Sequence, residues 1–415
     1  MVVFYSGSYS HDRAPRATGR APRGKGTRAR AHSTRSSALL LAFASSLSAL
    51  MSGCDGSDAH GSSGSAHQRP TVPTDATVAI GVGDVFTANE RGGSISRLDL
   101  RTGRVTTFAA GFAPHNVQVS ADGQHILAVG SPLGEMSGMA EASGPARAER
   151  AGQRNGAEAP SGELLMLAAA GVDTLGAMRM AIGGEPAHVI SDALGTRAYA
   201  TSADANAVVV IDLARRRIID TIATVAGPHG LRASPDGREL YVAGTKDNAV
   251  SVIDVAHQRE VARVRVGRAP VQVAFLPDGD RVYVTLRDDN AVAVLDTRSR
   301  RVLATIAVGR APIQLMASPD GRRVYVANQG TETEPDSTVS VIDTRSNTVA
   351  RTLTVGRGAH GVAVSDDGGL VFIANTFAGT VSVINTMAQH VLATVRVGAG
   401  PSGITYRTPI RPQRR

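Results

Sequence analysis

"GPHGLRASPDGRELYVAGTKDNAVSVIDVAHQREVARVRVG", residues 227–267, decides the fold, because its features return at a fixed distance. Pro228 stands in register with Pro186, Pro270 and Pro312, each 42 residues from the next; Ala359 follows 47 residues after Pro312, and Pro401 after a further 42. The Asp that closes "VSVID" keeps the same register at Asp212, Asp254, Asp296 and Asp343, with Asn385 next in line. Two landmarks sharing one period identify a repeat array.

Four short runs in the quoted repeat, "GLRAS", "RELYVAG", "AVSVIDV" and "EVARVRVG", are rich in Val and Ile and read as strands. "SPDG" joins the first two with the residues a type I turn asks for, and it returns as "LPDG" at 276–279 and "SPDG" at 318–321. Val250, Val252 and Ile253 make the third strand apolar on both faces, so the sheet needs a neighbour on each side. Four-stranded units that must stack on both faces are the blades of an all-β propeller. The landmarks number seven, at 114, 186, 228, 270, 312, 359 and 401, and after Pro401 only one strand, "SGITYR", remains. Its three missing partners are in residues 84–111, "DVFTANERGGSISRLDLRTGRVTTFAAG". The spacing therefore predicts a seven-bladed β-propeller over 78–407, closed by N-terminal strands pairing with the C-terminal strand, which leaves no open seam.

Pro114 precedes Pro186 by 72 residues rather than 42, and the surplus is the polar, low-complexity stretch 132–161. It reads as a disordered insertion between the second and third strands of one blade. Hydrophobic residues make up 42% of the 415-residue chain but aromatic ones only 4%, with no Trp, so the core is built from small aliphatic side chains. The net charge of +8 would suit a polyanion binder if it were spread over the fold. It is not: residues 1–53 hold eight Lys and Arg against the single acid Asp12, so the remainder is nearly neutral and nucleic acid is excluded as a partner.

That N-terminal segment has the architecture of an export signal, a basic region followed by the apolar run "ALLLAFASSLSALM" at 38–51, too short to span a bilayer. It ends in "MSGC", which resembles a bacterial lipobox and implies lipidation of Cys54, the chain's only cysteine; an ordinary cleaved signal is the alternative. Residues 54–77 read as a flexible Ser/Gly/Pro tether and 408–415 as a basic tail. The expected place is the periplasm or cell envelope, with the membrane touched only through the lipid anchor.

The strands "ELYVAGTKDNAVSVIDV", "RVYVANQ" and "LVFIANTFAGTVSVINTMAQHVLATVRVG" resemble YVTN-family β-propeller repeats. The tetrad that names the family corresponds to Tyr241–Gly244, Tyr283–Leu286, Tyr325–Asn328 and, diverged, Phe372–Asn375. The resemblance implies the propeller fold but no single activity, since relatives include surface-layer and adhesion-like proteins, exported proteins of unassigned role and propellers attached to periplasmic redox enzymes.

In a propeller the residues entering each innermost strand ring the mouth of the central channel. Here they supply His115, Asn116, His188, His229, Gln272, Gln314 and His360 as candidate binding residues. Two readings stand. His115, His229 and His360, aligned with one another, are candidate ligands for a transition metal; or the ring is a wet polar mouth, "PHG" and "AHG" being repeat consensus in the resembling family. Separation around the ring argues against one shared ion, and His188 falls one place later, where strand alternation points it to the other side. Arg268, Arg310 and Arg357, on the same face as the acidic residues 332–336, form a charged binding surface or are solvated turn residues. The recurring Asp212, Asp254, Asp296 and Asp343 read as turn caps.

No nucleophile elbow, phosphate loop or CxxCH motif is present. The residues thus favour a non-enzymatic binding or scaffold module that takes a protein, glycan or small ligand at its mouth face. A metal- or haem-associated accessory protein of a periplasmic redox system is the second reading, and a lactone hydrolase, an activity found on related propellers, the third.

Overall fold

The computed structural model describes residues 79–133, 162–169 and 177–408. The signal segment 1–53 with Cys54, the tether to 77, positions 134–161 of the insertion and the tail beyond 408 lie outside the described residues.

The strands form seven four-stranded antiparallel sheets, each built from chain-consecutive strands except the one that closes the ring. The blade first read from the sequence comprises Pro228–Ala233, Glu239–Gly244, Ala249–Asp254 and Arg259–Arg265, from the channel outward. Its inner strand starts at the landmark Pro228, two residues earlier than the sequence suggests, because Pro228 already pairs with Gly244. The turn behind it is as expected: Gly237 N–H donates to the Ser234 carbonyl, and Ser234 Oγ donates to Asp236. The positive φ of 71° at Gly237 is the reason a glycine recurs there.

Apolar burial lies between blades. Seven hydrophobic clusters occur among the described residues, each joining two neighbouring blades. Tyr241, Tyr283, Tyr325, Phe372 and Phe86 occupy the same register of five successive second strands, and each is fully buried. The aromatic residue of the family tetrad is thus the wedge between blades. Outermost strands are mostly exposed and carry charge, as in Arg259, Glu260, Arg263 and Arg265, which discourages edge-to-edge pairing.

The ring closes as the repeat count requires. Pro401–Arg407 is the innermost strand of a sheet whose other members are Asp84–Asn89, Ser94–Asp99 and Val105–Ala109. Buried Asp84 receives Arg97 Nε at 2.8 Å on one oxygen and Arg407 Nη2 at 2.5 Å on the other, tying the two chain ends by charge as well as by backbone. The insertion lies between His125–Ser131 and Glu163–Ala168, so it joins two strands at the mouth end of its blade.

Candidate functional site

The mouth is shaped by one irregularity repeated seven times. Each innermost strand carries one extra residue relative to its partner directly after the landmark: Pro114, Pro186, Pro228, Pro270, Pro312, Ala359 and Pro401 all precede a register shift. A bulge breaks the alternation that sends neighbouring side chains to opposite sides and re-aims them. His188, at the second place after its landmark, therefore joins His115 and His229, at the first place after theirs. Where the first place is His229 or His360, the second is Gly230 or Gly361. A Cβ on Gly230 would sit 2.5 Å from the Val271 carbonyl oxygen, and one on Gly361 2.5 Å from that of Ser402, so the next blade's backbone fills the space.

Hydroxyls from neighbouring blades hold these backbones. Thr201 Oγ1 donates to the His229 carbonyl at 2.8 Å, and Ser402 Oγ donates to that of His115 at 2.8 Å. The imidazoles converge: the ring of His115 is 5.2 Å from His229, 5.9 Å from His188 and 6.0 Å from His360, and His188 is 5.1 Å from His229. The separation expected from spacing around the ring is absent because seven close-packed blades leave a narrow mouth. One nitrogen each from His115, His188 and His229 lie within 4.8 Å of one another; His360 is outside this group and donates from Nδ1 to the Ser402 carbonyl at 2.9 Å, which makes Nδ1 the protonated nitrogen.

Most of the neighbouring polar groups are paired. Asn116 Oδ1 accepts from the Val189 amide, and Gln272 Oε1 accepts from the Val273 amide while its Nε2 lies 3.3 Å from His188 Nδ1. Gln314 is buried with its Nε2 unpartnered. Glu90, in the loop between Asp84–Asn89 and Ser94–Asp99, receives His115 Nδ1 at 3.1 Å. Nothing in the repeat spacing singles out Glu90, although its loop position opens on the mouth.

The electrostatics divide the histidines. Burial lowers the affinity of His115 for a proton, but the Glu90 carboxylate outweighs burial and raises its pKa. Burial pushes Glu90 up in turn, yet the His115 charge and hydrogen bond, with smaller effects of His360 and Ser402, hold it below its ordinary value. The Glu90 carboxylate thus holds the His115 ring by its Nδ1. Burial first, then the charges of neighbouring histidines, hold His188 and His229 well below the ordinary value and bring His360 to about 4. These three are uncharged at neutral pH, the state in which imidazole is a ligand.

The arginines are largely paired with acids on their own surface: Arg268 with Asp289 at 2.6 Å and Arg310 with Glu334 at 3.1 Å, while Arg357 makes no ion pair among the described residues. Exposed pairs of this kind contribute little. Asp212, Asp254, Asp296 and Asp343 accept backbone amides three residues ahead, as turn caps do.

Sequence reading passed over Arg232, which lines a cavity of ≈ 290 Å³ with Phe275, Met316 and the Pro235, Pro277 and Pro319 turns, at the end opposite the histidines. Its guanidinium donates to the Leu231 carbonyl and has no carboxylate partner among the described residues, and burial pulls its pKa down to about 10. A half-buried charge without a counter-ion is a cost. Arg232→Met is expected to stabilise the fold by roughly 1 kcal/mol, read as a higher Tm; a lower Tm would show that the guanidinium has a structural role.

No curated protein matches the sequence. Among solved structures, Kuenenia stuttgartiensis hydrazine synthase is similar at 20% identity and a TM-score of 0.56, over 70% of this chain and 89% of that one. A functionally unknown protein from Desulfotomaculum acetoxidans is similar at 15% identity and a TM-score of 0.61, over 79% of this chain and 100% of that one. Both likenesses are of fold alone. Residues 164–367 match the family model described as YNCE-like beta-propeller, and the repeats of this chain are those of a YVTN/YncE-type propeller.

Proposed function

We propose that the chain is an exported, lipid-anchored binding module that takes its ligand at the histidine-lined mouth of the channel. The supporting observation is unspent bonding capacity: His115 Nε2, His188 Nε2, His229 Nδ1 and Gln314 Nε2 are buried there without a partner. Buried polar atoms are normally satisfied, and unsatisfied nitrogens on three histidines that lie together mark a place for a ligand. Export and anchoring rest on the apolar run 38–51 and the lipobox-like "MSGC". The redox-accessory reading draws its support from the same imidazoles; hydrazine synthase shares the fold and lends no activity to this chain.

A thermal-shift screen of the protein against metal ions, oligosaccharides and small organic anions tests the proposal beside a His188→Ala, Gln314→Leu double variant. A mouth ligand at a hundredfold excess over its Kd stabilises by about 2.7 kcal/mol, a shift the double variant should lose. If no class of compound separates the two proteins, the mouth is not the binding face. The anchor has its own check: Cys54→Ser protein should leave the membrane fraction for the soluble one.

A further inference from the structure

The three orphaned histidine nitrogens have more in common than polarity. His115 has its Nδ1 committed to Glu90, and His229 hydrogen-bonds the backbone of Val271, an interaction that raises its proton affinity and so uses a ring N–H. That leaves His115 Nε2 and His229 Nδ1 buried and unpartnered, as is His188 Nε2, on three rings that each offer one nitrogen within 4.8 Å of the others. Metal-bound histidines show this pattern: one nitrogen tied to a carboxylate or carbonyl, which fixes the ring, and the other turned to the ion.

Resting on the mouth as the binding face, we infer that His115, His188 and His229 form a three-imidazole site for a first-row transition-metal ion of the Zn(II) or Cu(II) class, with Glu90 positioning His115. An all-nitrogen donor set without thiolate or a directly facing carboxylate suits these ions rather than Mg(II) or Ca(II). Nitrogens within 4.8 Å of one another reach bonding distance to a common ion if each ring moves inward by roughly 0.8 Å or less. For His188 to offer Nε2, its Nδ1 carries the proton, and the Gln272 carboxamide, whose Nε2 now faces Nδ1 and whose Oε1 takes the Val273 amide, gives up those two bonds when the ion binds. Three protein ligands leave a coordination position for water or an exogenous ligand, as in open rather than purely structural sites. The donors come from three consecutive blades and Glu90 from the closing blade beside them, so the ion also bridges the region where the ring is sealed.

The test uses the full chain without an affinity tag, loaded separately with Zn(II), Cu(II) and Co(II), desalted and analysed for bound metal. One equivalent is expected, with Co(II) giving the intense visible bands of a four-coordinate site. His188→Ala and His229→Ala should each lose at least a hundredfold in affinity, whereas His257→Ala, an exposed histidine elsewhere, should lose none. Because an alanine variant can fail by misfolding, Glu90→Gln serves as a second probe. It should stay folded by circular dichroism, bind 10- to 100-fold more weakly and alter the Co(II) spectrum. Wild type without stoichiometric metal overturns the inference, as does equal loading of the histidine variants. In that event a non-metal ligand whose thermal shift depends on His188 and Gln314 leaves the binding-module proposal standing, and the absence of any such ligand removes it too.

Discussion

A chain ending at Gly400 is expected not to fold into a cooperative monomer. The strand it lacks, Pro401–Arg407, is the innermost of its blade and pairs with Asp84–Asn89 from Asp84↔Arg407 to Asn89↔Pro401. Without it, the fully or almost fully buried Val85, Phe86 and Ala88 lie on a bare strand edge facing the channel, with backbone donors and acceptors left open. Ile404 leaves the cluster shared with Phe372 and Val85, and Tyr406 leaves its stacking on Phe372 at 5.5 Å. Ser402 also stops tying blade to blade through the His115 carbonyl. Each loss is modest, but together they equal or exceed the 5–15 kcal/mol that typically separates a folded domain from its unfolded chain. Size-exclusion chromatography and a thermal melt by circular dichroism would decide it. A monomeric truncated protein melting within a few degrees of wild type would show that the ring holds without its clasp. A milder form of the same argument is Asp84→Ala, which leaves Arg407 buried without its carboxylate and is expected to cost about 3–5 kcal/mol.

How far the sequence reaches is visible at this closure and at the mouth. The period of 42, the shared blade and the insertion point are all properties of spacing, and spacing survives as architecture because each repeat must bury both sheet faces against its neighbours. The mouth depends on what spacing does not contain. His188 is misjudged by strand alternation because the seven bulges are set by backbone pairing, and the distance between imidazoles depends on how tightly the blades close. A trace of the bulge was present: glycine follows the histidine at Gly230 and Gly361, where the adjoining blade leaves no room for a side chain. Glu90 and Arg232 are isolated exceptions within the repeat, at registers where other blades place different residues. Finding them requires asking of each register which blade departs from the rest, rather than what the blades share.

Metal-free protein, prepared with a chelator, is expected to lose stability steeply as pH falls from 6.5 toward 4. His360 has a folded pKa of about 4, below its ordinary 6.5, so between those values the unfolded chain binds a proton that the folded one refuses. Stability from this residue is complete above pH 6.5 and declines as the pH drops, reaching a loss of roughly 3 kcal/mol by pH 4. His188 and His229, also held well below 6.5, add losses of the same sign in the same direction. His115 has the opposite sign: its raised pKa gives stability that is fully present below 6.5 and fades as the pH climbs through the raised value, so it does not offset the acid loss. Glu90, held low, adds a further loss only below its ordinary 4.5. The curve of Tm against pH should therefore be highest near neutrality and fall on the acid side in the histidine range, ahead of the carboxylates. His360→Gln keeps a polar side chain but cannot take up the proton, and it should flatten the acid limb by about 3 kcal/mol between pH 6.5 and 4. An acid limb that keeps its slope in that variant would mean that the His360 site admits water readily enough to let the imidazole charge in place.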